Sequence, residues 1–166
     1  MRLFINYAHS DKTAAEQIVN FLLAHGCDCW FEKLLPKQDW EAELLAAITQ
    51  CDGMIHMLSP ESIVNQWCQW ELAHAVRLGK PVLPLVVRMP VDLPSALDAH
   101  SWIDVSEGLD ENTLEPLLDD LKSLQRFILS SNTVLHAPEH PHGIPAQAME
   151  SNVPPGMRPG RDITED

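Results

Sequence analysis

The chain has 166 residues, 45% of them hydrophobic, and carries 11 Lys and Arg against 24 Asp and Glu for a formal net charge of -13. That length holds one domain of ordinary size and a tail, not two full cores. The acidic balance excludes direct nucleic-acid binding and an anionic-membrane surface, because phosphate contacts need clustered cations.

Leu3 to Tyr7 is apolar and runs into the turn-forming Ala8-His9-Ser10-Asp11, the pattern of a first strand. A helix is expected from Asp11 or Thr13, with Ala15, Ile18, Phe21 and Leu22 as its apolar stripe, ending at His25-Gly26 where glycine takes the left-handed conformation. Cys27 to Phe31 is the second expected strand, and Glu32 to Gln38 the loop after it. Asp39 is placed to cap a second helix with the stripe Trp40, Leu44, Ala47 and Ile48. Gly53 to Leu58 forms the third strand, and a helix bearing Trp67 and Glu71 follows as far as Leu78-Gly79-Lys80-Pro81. Val82 to Val87 is almost continuously apolar, as a strand covered on both faces should be, although Pro84 lacks a ladder donor. Ser101 to Val105 is a short fifth strand. The last helix spans Asn112 to Leu129 with Leu114, Leu117, Leu118, Leu121, Leu124 and Ile128 inward.

Strands alternating with helices of this length predict an α/β fold: a flavodoxin-like doubly wound parallel sheet of five strands, order 2-1-3-4-5, with helices on both faces. Residues 1–129 make up this domain. Residues 130–166 are rich in proline and poor in large apolar side chains, which predicts a flexible tail or linker. Its His136, His140 and His142 have nothing around them to hold a metal, so no metal site is expected. The four cysteines lack repeated Cys-x-x-Cys spacing and read as free buried thiols. No stretch approaches membrane-spanning length and Met1 leads into no leader-like segment, so a cytoplasmic location is expected.

One stretch concentrates chemistry. In Ser59 to Glu71, Trp67 and Glu71 stand four residues apart on one helix face, which sets a carboxylate near an indole at the mouth of the sheet. The segment Trp67-Cys68-Gln69-Trp70-Glu71-Leu72 resembles the Trp-Cys-x-x-Glu-Leu signature of the Toll/interleukin-1 receptor (TIR) domain. Phe4-Ile5-Asn6-Tyr7-Ala8-His9 is similar to that family's first box, and Ser101 to Val105 to its third. The resemblance covers about Arg2 to Leu129, in the family's order. It departs from the pattern at Asn6 and Asn65, each in place of a frequent Ser, and at Glu32 and Lys37 in a loop through which relatives touch one another.

The resemblance implies an NAD-cleaving domain of the bacterial type, working in immunity or signalling, with Glu71 as its catalytic residue. It implies NAD as substrate with no cofactor, and self-association that completes the pocket. The tail is a candidate connection to a sensor domain or partner protein. Tyr7 and Ala8 match first-box positions that line the pocket in relatives. Two roles fit Trp30 and Phe31, stacking on a nucleotide ring or core packing at a strand end, and two fit Ser59, a ligand donor or a cap. Trp67 borders the pocket, although packing explains it as well. The competing implication is a non-enzymatic adaptor that binds other TIR domains. A nucleoside deoxyribosyltransferase with Glu71 as nucleophile fits the boxes less well.

Overall fold

The computed structural model describes residues 1–31, 40–89 and 102–134. Strands β1 (Arg2–Asn6), β2 (Asp28–Trp30), β3 (Gly53–Leu58), β4 (Val82–Val86) and β5 (Ile103–Asp104) form one sheet, every pairing parallel, in the expected order β2-β1-β3-β4-β5. A 3-10 turn at His9–Asp11 leads into helix α1 (Lys12–Ala24), and α2 (Trp40–Gln50) joins β2 to β3. Two helices, α3 (Pro60–Val64) and α4 (Gln66–Arg77), lie between β3 and β4 where the sequence suggests one. Helix α5 (Glu111–Val134) runs past the expected end at Leu129. The loop bearing Glu32 and Lys37, and the tail histidines, lie outside the described residues.

Side chains of a strand alternate between faces, and each face of this sheet carries its own apolar layer. Leu3, Ile5, Ile55, Met57 and Leu85 pack with Ala15, Ile18 and Leu22 of α1 and with Leu114, Leu117 and Leu121 of α5. Phe4, Met54, Leu58, Val82 and Val86 pack with Leu44 and Ile48 of α2 and with Leu72 and Ala75 of α4. A fully buried Leu or Ile is worth about 2 kcal/mol, whereas an exposed pair such as Lys12 and Glu16, 3.9 Å apart, contributes a few tenths at most. The two layers, not surface charge, hold the winding.

Pro84 sits inside β4 without breaking it. Val87 donates to Leu58 on β3, while the Val86 carbonyl accepts from Val105 beyond β5. Alternation therefore turns the Pro84 nitrogen toward β5, whose pairing begins only at Leu85. No ladder bond among the described residues is forfeited there. Gly53 opens β3 under α5, where a Cβ would approach Leu124 Cδ2 to 3.0 Å.

Lys80, between α4 and β4, seals the end of α2 by donating to the carbonyls of Thr49 at 2.6 Å and Cys51 at 2.7 Å. A cation there meets the negative end of the helix dipole and satisfies carbonyls that the helix leaves open. Lys80→Met is expected to lower unfolding stability by about 1 kcal/mol, read as a shifted urea midpoint at unchanged slope.

Candidate functional site

The carboxyl edge of the sheet is tied together by one buried carboxylate. Asp11 occupies the N-cap position of α1 yet makes no cap bond with its side chain. Instead Oδ2 accepts from the Ser59 hydroxyl at 2.6 Å and Oδ1 from Arg88 Nε at 2.7 Å. Arg88 also pairs with Glu61 and reaches the Ser10 hydroxyl at 3.3 Å. Hydrogen bonding from Arg88 is the first cause that holds the Glu61 carboxyl below its ordinary value, and the bond to Asp11 raises the guanidinium in turn. These partners follow β1, β3 and β4, so the knot joins three connections that border the ligand crevice of a doubly wound sheet. In the sequence Asp11 marks only a helix start; no local pattern points to Ser59 or Arg88 as its partners.

Glu71 lies on the buried side of α4 with Cys68, Leu72 and Ala75, and is 8% exposed. Helical side chains lean toward the amino end of their helix. In α4 that end is at the carboxyl edge of the sheet. The start of the helix is held from two sides. Asn65 Oδ1 accepts from the backbone N–H of Trp67 at 2.9 Å and of Cys68 at 3.1 Å, an N-cap that a serine would supply as well. From below, Asn6 Nδ2 donates to the Cys68 carbonyl at 2.8 Å.

The other candidate residues divide between the two faces. Trp30 stacks on Phe4 with centroids 4.8 Å apart and, like Trp67, packs on the layer beneath α2 and α4. Phe31 stacks on Tyr7 at 5.2 Å on the opposite layer. Trp30 and Phe31 are consecutive, so strand alternation alone keeps them from sharing a ligand ring on one face. Ala8 is buried, and its carbonyl accepts from Asp11 N–H at 2.8 Å. Ser59 caps α3 in a capping box with Ser62 while its hydroxyl proton goes to Asp11. Trp67 meets Trp70 edge-on at 5.6 Å, and Trp70 leans on His74 at 4.5 Å.

Asn6 and His56 are neighbours in register on β1 and β3 and point to the same face as Phe4 and Met54. Asn6 Oδ1 and His56 Nδ1 are the buried side-chain atoms without a partner among the described residues. Each such atom costs about 1–3 kcal/mol. Burial pushes the His56 imidazole down to about 4, so it is neutral at physiological pH. Burial also pushes the Cys29 thiol up to about 12, with Cys27 and Asp28 adding to the rise, which rules it out as a thiolate nucleophile. Among the described residues no group of His, Cys, Asp and Glu is arranged to hold a metal, and no helix is long and apolar enough to cross a membrane. Two open grooves lie away from Glu71. One of about 500 Å³ runs between α2 and β2 past Cys29 and Trp30, and one of about 340 Å³ sits at the amino ends of the strands beside Arg2 and Asp52. Topology favours the carboxyl edge over both.

A five-stranded doubly wound parallel sheet is a fold class whose ligands, as a rule, sit at the carboxyl edge. The family model described as TIR domain matches residues 3–119, and the chain belongs to that family. No curated protein matches the chain. Among solved structures, the TIR domain of the Toll-related receptor TRR-2 from Hydra magnipapillata is 19% identical with a TM-score of 0.60, over 74% of this chain and 97% of that one. The CMP N-glycosidase of Clostridium botulinum is 18% identical with a TM-score of 0.51, over 72% and 98%. A 2-deoxyribosyltransferase from Bacillus psychrosaccharolyticus is 16% identical with a TM-score of 0.51, over 69% and 96%. At these identities the likeness is one of fold.

Asp11→Ala leaves the Ser59 hydroxyl and one side of the guanidinium unpaired. With Arg88 44% exposed, the expected loss is about 2 kcal/mol, below that of a fully buried pair, measured by urea unfolding. For His56 the folded value of about 4 lies below the ordinary 6.5, so the unfolded chain takes up the proton first as pH falls. Its contribution is complete above pH 6.5 and is lost on acidification toward 4, a total of about 3 kcal/mol. His56→Met removes this loss, so subtracting its stability-against-pH curve from that of the wild type isolates it.

Proposed function

We propose that this TIR domain cleaves NAD between nicotinamide and ribose, with Glu71 as the catalytic residue and no further cofactor. The observation that carries this reading is the burial of Glu71 on α4, on a helix whose side chains tilt toward its amino end and so toward the carboxyl edge. Trp67 stands one turn before Glu71 on α4, Trp30 is half-buried on the same layer of the sheet, and Tyr7, Ala8, Phe31 and Ser59 lie at or beside the loops of that edge. The same winding in an enzyme named a CMP N-glycosidase makes the carboxyl edge a reasonable seat for scission of a sugar–base bond.

One carboxylate suffices for the chemistry. Nicotinamide in NAD is a cationic ring, and it leaves neutral when the C1′–N bond breaks and the electron pair goes to its nitrogen. No general acid is needed. The ribose becomes an oxocarbenium ion, which a nearby anion and hydrogen bonds to the ribose hydroxyls stabilise as its charge develops. Water then adds at C1′ and loses a proton. Self-association is part of this reading, a neighbouring copy completing the pocket, as are a cytoplasmic setting, bacterial immune defence or signalling, and a sensor or partner joined through the tail.

A second reading, a TIR adaptor without turnover, is favoured by the exposure of Met89 (60%) and Trp102 (54%), beyond β4 and before β5. Apolar groups of that size at a sheet edge suit docking to another domain. Concentrated protein incubated with NAD separates the two. Release of nicotinamide by the wild type, reduced about 100-fold or more in a folded Glu71→Gln variant, supports the enzyme; absence of release at every protein concentration leaves the adaptor. The rate per molecule is expected to climb with protein concentration, and a dilute monomer turning over at full rate would remove the assembly requirement.

A further inference from the structure

We infer that Asn6 is a positioning residue for Glu71, seating the first turn of α4 at the height from which the carboxylate faces its reactant; this rests on the reading of Glu71 as catalytic. Asn6 ends β1 and is wholly buried. Among the described residues its amide makes one bond, from Nδ2 to the Cys68 carbonyl at 2.8 Å. Cys68 stands one helical turn ahead of Glu71 on the same buried side of α4. Asn65 fixes the N–H groups of that turn from outside, and Asn6 fixes its carbonyl from the sheet. The turn therefore has no freedom to slide along β1, and a slide there would carry Glu71 with it.

The unpaired oxygen separates this residue from an ordinary core amide. Among the described residues Asn6 Oδ1 has no partner, and neither has His56 Nδ1 on the neighbouring strand. An apolar side chain of similar volume would remove that cost. The amide is thus a poor choice for packing and a good one for tethering α4. A Glu71 misplaced by even a fraction of the reach of a hydrogen bond loses transition-state stabilisation while leaving most contacts to NAD in place.

Two pairs of variants separate tether from packing. Asn6→Leu keeps the branched outline of the side chain at a somewhat larger volume and discards the donor, whereas Asn6→Ser keeps a shorter donor and opens a cavity. Tethering predicts that kcat for nicotinamide release falls about 10-fold in Asn6→Leu with KM little changed, and falls less in Asn6→Ser. The reverse order, or wild-type kcat in both, overturns the inference. Asn6→Ala and Asn6→Ser differ in the hydroxyl and lose nearly the same volume, so equal kcat in that pair overturns it even where Asn6→Leu does not fold. Hydrogen exchange supplies a readout independent of turnover. Residues 66–72 are expected to exchange about 10-fold faster in Asn6→Ala than in the wild type, with α1 and α5 unchanged, and unaltered protection there overturns the tether. A wild type that releases no nicotinamide overturns the catalytic reading, while the exchange result still decides the tether.

Discussion

The buried Asp11 carboxylate is the constraint on which the carboxyl edge of the sheet depends. A carboxylate this far from water is tolerable only with strong donors, and it has two, the Ser59 hydroxyl and the Arg88 guanidinium. Because they come from the connections after β3 and β4, satisfying one charge fixes the relative heights of three crossings. Ser59 passes that constraint on, since the oxygen that donates to Asp11 also receives the Ser62 N–H and starts α3. Arg88 extends it outward to Glu61 and Ser10, where the groups are exposed and the pairing adds less.

From that knot the path to Glu71 is short and made of rigid parts. Helix α3 ends at Asn65, Asn65 caps α4, and Glu71 lies in the second turn of α4. The sheet reaches the same helix directly through Asn6. A site mounted on a helix pinned at its first turn holds its geometry better than one on a loop. The cost is visible next to it, in the oxygen of Asn6 and nitrogen of His56 that have no partner among the described residues, in a layer where apolar side chains would be more stable. Stability given up beside a candidate site is a common exchange in enzymes.

Much of the fold was legible in the residues. Long apolar runs such as Gly53 to Leu58, alternating with helical stripes such as Leu114, Leu117 and Leu121, permit little besides a wound parallel sheet, and the five strands appear in the expected order. Helix α3 escaped because Pro60 to Val64 is too short to show a stripe of its own, and its boundary is a tertiary matter of where Asn65 can cap. Opposite faces for Trp30 and Phe31 were available from strand alternation. The Asp11 partners were not, since Ser59 and Arg88 are far away in the chain.

By itself the sequence determined the winding, the family's boxes, and the presence of Glu71 on the same helix as Trp67, because these rest on periodicity and on motifs contained within a few turns of chain. Only the tertiary structure decided that Asp11 binds across the sheet instead of capping its own helix, that Asn6 bonds the Cys68 carbonyl of α4, and that Glu71 is buried. Each of those depends on which distant groups arrive beside a polar side chain, and it is the burial of that side chain, absent from the unfolded chain, that makes the partner obligatory.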